Sequence, residues 1–151
     1  MILPYDTIFF RTIGRINDPK ELSLDNNDLL EIYTERLHNV LGNPRVRRLF
    51  SSITLDDEIQ QMDFTLNNSV DDSSDEDFVC TIFMLGMTIE WLQPQVDSLN
   101  YSIMMLGGKE EKMLSNPYKT LQTRLESVKK ELNNTIRDYG YMYNSYINSE
   151  S

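Results

Sequence analysis

The sequence predicts a mainly α fold: a helical bundle around a kinked, apolar central helix, with a short β-hairpin or strand arm and an extended C-terminal tail. Three observations lead there. The run from Phe78 to Ile89 carries no charge until Glu90, so it predicts a helix apolar nearly all round. Between Asp25 and Leu41, Leu30, Tyr33, Leu37, Val40 and Leu41 recur at helical spacing. Tyr118, Leu121, Leu125, Val128, Leu132 and Tyr139 form a heptad-like stripe, broken at Thr135.

From the N-terminus, Phe9, Ile13 and Ile16 share a helical face despite Gly14, and Asn17-Asp18-Pro19 is a turn signal. Gly42 stands where the helix over Asp25 to Leu41 should stop, and Asn43 with Pro44 starts a further short turn reaching Phe50. Met62, Phe64 and Leu66 alternate with Gln61, Asp63 and Thr65, which predicts a half-buried strand. Asn67 to Asp77 is an exposed acidic loop, and Ser74 with Asp77 makes a capping-box-like start to the apolar helix. Pro94 lacks an amide hydrogen and its ring crowds the carbonyl of Glu90, so a kink or break beside Trp91 is expected. Val96, Leu99, Ile103 and Leu106 continue the stripe to a Gly107-Gly108 loop. Ser115 or Asn116 with Pro117 should open the last helix, and Gly140 should close it. The domain is therefore expected over 1–140, with 141–151 as an aromatic tail.

A helix apolar all round needs cover on most sides, which a chain of 151 residues supplies only in part. The rest is expected from another subunit. Hydrophobic content of 40% and charged content of 25% are those of a globular domain rather than a disordered chain. The 24 acidic and 14 basic side chains leave a formal charge of −10, which repels nucleic-acid phosphates over most of the surface. Met1 to Phe10 lacks the pattern of a signal peptide, and the uncharged run of about a dozen residues is shorter than the ~20 that span a bilayer. Cys80, the lone cysteine, predicts a buried thiol and a reducing compartment.

Few residues suggest chemistry. Asp71 to Asp77 has the ligand types of a calcium loop but lacks the glycine at its sixth place and the glutamate at its twelfth. His38 is the only histidine, so one chain holds no multi-histidine metal site. Gly107-Gly108-Lys109 is too short for a phosphate-binding loop. Arg45, Arg47 and Arg48 suit phosphate or the acidic side chains of a neighbouring subunit, and the net charge favours the second. Tyr141, Tyr143, Tyr146 and Ile147 are either a frayed end or a strap laid on a partner; so aromatic a stretch favours the strap.

Taken in order, these features resemble a family of small virion proteins in tailed bacteriophages that form the neck or connector rings between portal and tail. The resemblance rests on the aspartate-initiated apolar helix ending in Glu90-Trp91-Leu92-Gln93-Pro94, the aliphatic segment after it, and the loop Gly107-Gly108-Lys109-Glu110. A final helix opened near Ser115-Asn116-Pro117 and ended by Asp138-Tyr139-Gly140-Tyr141, with the opening Tyr5-Asp6-Thr7-Ile8-Phe9-Phe10, completes it. It covers most of the chain, and its motifs are structural. The resemblance implies a non-enzymatic subunit of a virion, made in the host cytoplasm, that needs no cofactor or metal. Its partners would be copies of itself in a ring, expected as a dodecamer, together with the portal and other neck or tail proteins. Packaged DNA would pass through the ring without specific binding, and an acidic wall that does not hold phosphates suits that role. The family's arm toward neighbours falls on Gln61 to Leu66 and the acidic loop, although so aspartate-rich a loop departs from the pattern. The expected interface residues are therefore Arg45, Arg47, Arg48, Met62, Phe64, Tyr141, Tyr143 and Tyr146. Two other readings stay open: a small acidic helical regulator that binds a basic protein, and a carboxylate-metal enzyme on a helical bundle.

Overall fold

The chain opens with a strand, β1 (Ile2–Pro4), that runs straight into α1 (Tyr5–Ile16). Next come the short α2 (Pro19–Leu22), then α3 (Asn26–Leu41) and the single turn α4 (Pro44–Arg47). A hairpin of β2 (Phe50–Asp56) and β3 (Gln61–Leu66) leads to two long helices, α5 (Asp72–Met105) and α6 (Lys109–Met142). This computed structural model describes residues 1–106 and 108–142. The architecture is mainly helical with a small antiparallel sheet in the order β1-β3-β2.

α5 is the axis of the core. Val79, Cys80, Ile82, Phe83, Leu85 and Met87 are fully buried and spread over more than half of the helix circumference, while Thr81 and Met84 on the remaining face are half-buried. α1, α3 and α6 pack against α5, and Phe50 of the sheet sets its ring 6.3 Å from that of Phe83. The chain thus covers its own apolar helix, contrary to the expectation that a second subunit is needed. Sequence periodicity identifies the apolar helix but not how many neighbours the rest of the fold lays over it. Each fully buried Leu, Ile or Phe contributes roughly 1.5–3 kcal/mol.

Several boundaries differ from those the sequence suggests. α5 begins at Asp72, so most of the expected acidic loop is its first turns. Its cap is Asp71, not Ser74: an Asp71 carboxylate oxygen accepts from the Ser74 amide at 2.7 Å, and the Ser74 hydroxyl donates back to the other oxygen at 3.0 Å. α5 continues through Pro94 to Met105 without a break. Pro94 leaves the Glu90 carbonyl without its helical donor, and the side-chain amide of Gln95 donates to the adjacent Trp91 carbonyl at 2.8 Å. α6 likewise starts at Lys109, ahead of Ser115 and Asn116, and passes through Pro117. It also passes through Gly140 and ends at Met142, because an interior glycine weakens a helix by only about 1 kcal/mol relative to alanine.

The two long helices are antiparallel. Phe78 near the start of α5 stacks on Tyr139 near the end of α6 at 3.8 Å between ring centroids, while Gly108, at φ 71°, lies in the turn at the other end. Leu125, Val128 and Leu132 are buried on the predicted stripe of α6. Trp91 meets α6 through Arg124, whose guanidinium carbon lies 5.1 Å from the indole centroid. The indole N–H donates to Asp18 at 3.0 Å. Pro94 and Leu121 line the same shallow depression, which puts Pro117 about one helical turn further along the pair.

Close approach of α3 to α5 requires Gly86. A Cβ there would fall 2.6 Å from a methyl of Val40. In the sheet, β3 is central, pairing Met62 with Leu3 on one side and with Leu55 on the other.

Candidate functional site

α4 presents a fixed basic corner. Asn43 caps it by accepting from the Arg45 amide at 3.0 Å, Pro44 fills the first helical position, and Val46 is buried beneath. That anchoring turns Arg45, Arg47 and Arg48 outward, and all three are exposed. Among the described residues their guanidinium groups meet no acidic partner. The Arg48 carbonyl accepts from the Asn67 side-chain amide at 2.7 Å, which ties the corner to the end of the sheet.

α3 itself has the opposite character. Asp25 at the N-cap and Asp28, Glu31 and Glu35 further along the helix are exposed and form no ion pair among the described residues. On another face of α3, Phe9, Phe10, Ile13, Leu30 and Tyr33 line a groove of about 450 Å³ between α1 and α3. Phe10 is 76% exposed at its edge. Tyr33, one face of which meets Arg36, has its hydroxyl pKa pushed up to about 12 by burial and by the nearby Glu21 charge, with Arg36 opposing.

A three-residue clamp holds the β2–β3 turn near this groove. The buried Tyr5 hydroxyl donates to Asp57 at 2.6 Å, and both Asp57 oxygens lie 2.9 Å from the His38 Nε2. The Tyr5 hydrogen bond, opposed by partial burial and aided by His38, holds the Asp57 carboxyl below its ordinary pKa. Burial and the same carboxylate raise the pKa of Tyr5. Sequence gives no sign of the clamp, because its members come from α1, α3 and a turn. The clamp anchors the turn to α1 and α3, and no group of three or more His, Cys, Asp or Glu among the described residues is placed to hold a metal ion.

Two further features lie at the ends of the long hairpin. At its turn end, Tyr101, Met104, Met105 and Met113 are 66%, 77%, 68% and 74% exposed. At the other end, buried Asp75 accepts from the hydroxyls of Ser69 and Tyr139 and from the Val70 amide at 3.0 Å. Burial alone would raise the Asp75 carboxyl; these donors outweigh it and hold its pKa below the usual value. Cys80 sits inside the core, where burial raises its thiol to about 11.

The expected interface residues separate accordingly. Arg45, Arg47 and Arg48 are together on one exposed corner. Met62 and Phe64 are buried, 0% and 2% exposed, so they are core residues and the hairpin is no projecting arm. Strand alternation marks a buried face without saying whether the cover is the chain's own. Tyr141 is part of α6 rather than of a tail, and Tyr143 and Tyr146 lie outside the described residues. No helix among the described residues is long and apolar enough to cross a membrane. Comparison with protein-family models, with curated proteins and with solved structures finds no match to this chain.

Proposed function

We propose that this chain is a structural subunit of a tailed-phage virion that assembles with copies of itself into a ring in the neck between portal and tail. The carrying observation is the apolar end of the α5–α6 hairpin. Tyr101, Met104, Met105 and Met113 cluster there in the open, well away from the core, and such a patch suits a protein contact. Methionine side chains adapt to irregular partners, as a docking tip that meets a different virion protein requires. The unpaired arginine corner adds a second contact surface. The net charge of −10 leaves DNA unheld as it passes.

The test is the particle itself. Tailed phage encoding this chain should contain it in purified virions, and electron cryomicroscopy should show cyclic density at the neck that accepts the paired long helices. Absence of the chain from purified particles would end this reading. The unpaired acidic residues of α3 favour a second one, a small regulator that binds a basic protein. That reading requires a monomer or dimer that binds the basic protein and is missing from the virion.

A further inference from the structure

We propose that the free chain pairs with a second copy through the outer edge of β2, antiparallel and about a two-fold axis, so that the two sheets become one. Such a contact closes at two copies, so it goes beyond the ring reading and does not rest on it. β2 lies at the end of the order β1-β3-β2, and among the described residues no other strand pairs with its outer side. The direction of its backbone groups follows from β3. The Phe64 amide donates to the Met1 carbonyl at 2.8 Å and the Met1 amino group donates to the Phe64 carbonyl at 2.7 Å, so Phe64 faces β1. Asp63 and Thr65 alternate with it and face β2, where they take up the N–H and C=O groups of Thr54 and Ser52. The N–H and C=O groups of Ile53 and Leu55 therefore point to the free edge.

Composition closes the other edge and leaves this one open. β1 is three residues ending in Pro4, which has no amide hydrogen to donate. β2 is seven residues with neither proline nor charge before Asp56, and its irregularity between Phe50 and Ser52 lies upstream of Ile53. Charge selects a second copy as the occupant. Arg47 and Arg48 precede β2, while Asp56 closes it and Glu58 follows; all four are exposed and form no ion pair among the described residues. Antiparallel self-pairing lays the basic end of each β2 beside the acidic end of the other, whereas parallel pairing would set like charges together. With Ile53 of one copy opposite Leu55 of the other, the outward groups of both residues are hydrogen-bonded in each copy. The half-buried Ile53 and Leu55 side chains gain apolar neighbours across the junction, and the exposed Thr54 side chains of the two copies meet at the axis.

That meeting at the axis supplies the test. Thr54→Lys or Thr54→Glu alone sets like charges against each other, and circular dichroism melting of the full chain would confirm that both variants fold. In sedimentation velocity the wild-type chain should dimerise as its concentration is raised, and each variant should do so at least about tenfold more weakly. An equimolar mixture of the two variants should regain dimers holding one copy of each, because only a two-fold contact brings Thr54 against its own counterpart. Arg48→Glu should also weaken the dimer, and Arg48→Glu/Glu58→Arg should restore it. A wild-type chain that stays monomeric up to millimolar concentration overturns the proposal, as does a dimer that both Thr54 variants form as tightly as the wild type. Weakening in both without recovery in the mixture would place Thr54 in a contact of another geometry and equally overturn the two-fold pairing. The content of purified virions decides the ring reading separately, and larger oligomers indifferent to either Thr54 change would leave that reading standing and end this one.

Discussion

Asp75 shows how a single carboxylate joins three elements of this molecule. It lies in the first turns of α5, yet its donors are Ser69 and Val70 before the helix and Tyr139 at the far end of α6. A carboxyl whose folded pKa is depressed contributes stability above its unfolded value, about 3.9, and loses it as pH falls through the folded value. The thermal midpoint should therefore drop as pH is lowered from about 4. Asp75→Asn should cost about 1–3 kcal/mol at neutral pH, because it replaces an acceptor-only group among donors. It should also flatten part of the acid dependence. Chemical denaturation at pH 7 and at acid pH measures both, and parallel curves for variant and wild type would refute the assignment. The clamp from Tyr5 through Asp57 to His38 acts similarly with a more exposed carboxylate, so its contribution is smaller and more screened.

Among the elements, α3 and the buried stripe of α6 were fully legible in the sequence, since both have one apolar face, and the stop of α3 at Gly42 is where composition puts it. The sheet was legible only at β3. β2 carries an irregularity between Phe50 and Ser52 that disrupts its alternation, and β1 is three residues ending in proline. Helix starts were misplaced at Ser74 and Pro117, because a cap residue or a proline signals a permitted start rather than a required one. The arginine corner was visible as a cluster, but the groove and clamp arise from contacts between distant segments, which no local pattern records. Gly86 was silent for the same reason. Gly86→Ala should destabilise the fold by about 1–3 kcal/mol through the clash with Val40, despite the gain in helix propensity. Gly86→Ala combined with Val40→Ala should recover part of the loss, and a single variant as stable as the wild type would show that α3 shifts freely.

At the scale of the whole molecule, the core is gathered around the first half of α5, while the end of the hairpin beyond Trp91 carries few buried residues. Pro94 and Pro117 each delete a backbone hydrogen bond, and they do so within about one turn of each other on adjacent helices. Amide exchange should accordingly be slow from Phe78 to Leu92 and fast from Gln95 to Met105, and replacing both prolines by alanine should slow it beyond that level. Uniform protection along α5 would contradict this. The long hairpin is then a stiff lever joined through a compliant wrist to a soft methionine fingertip. Such a limb can re-aim its tip while the body to which it belongs stays still.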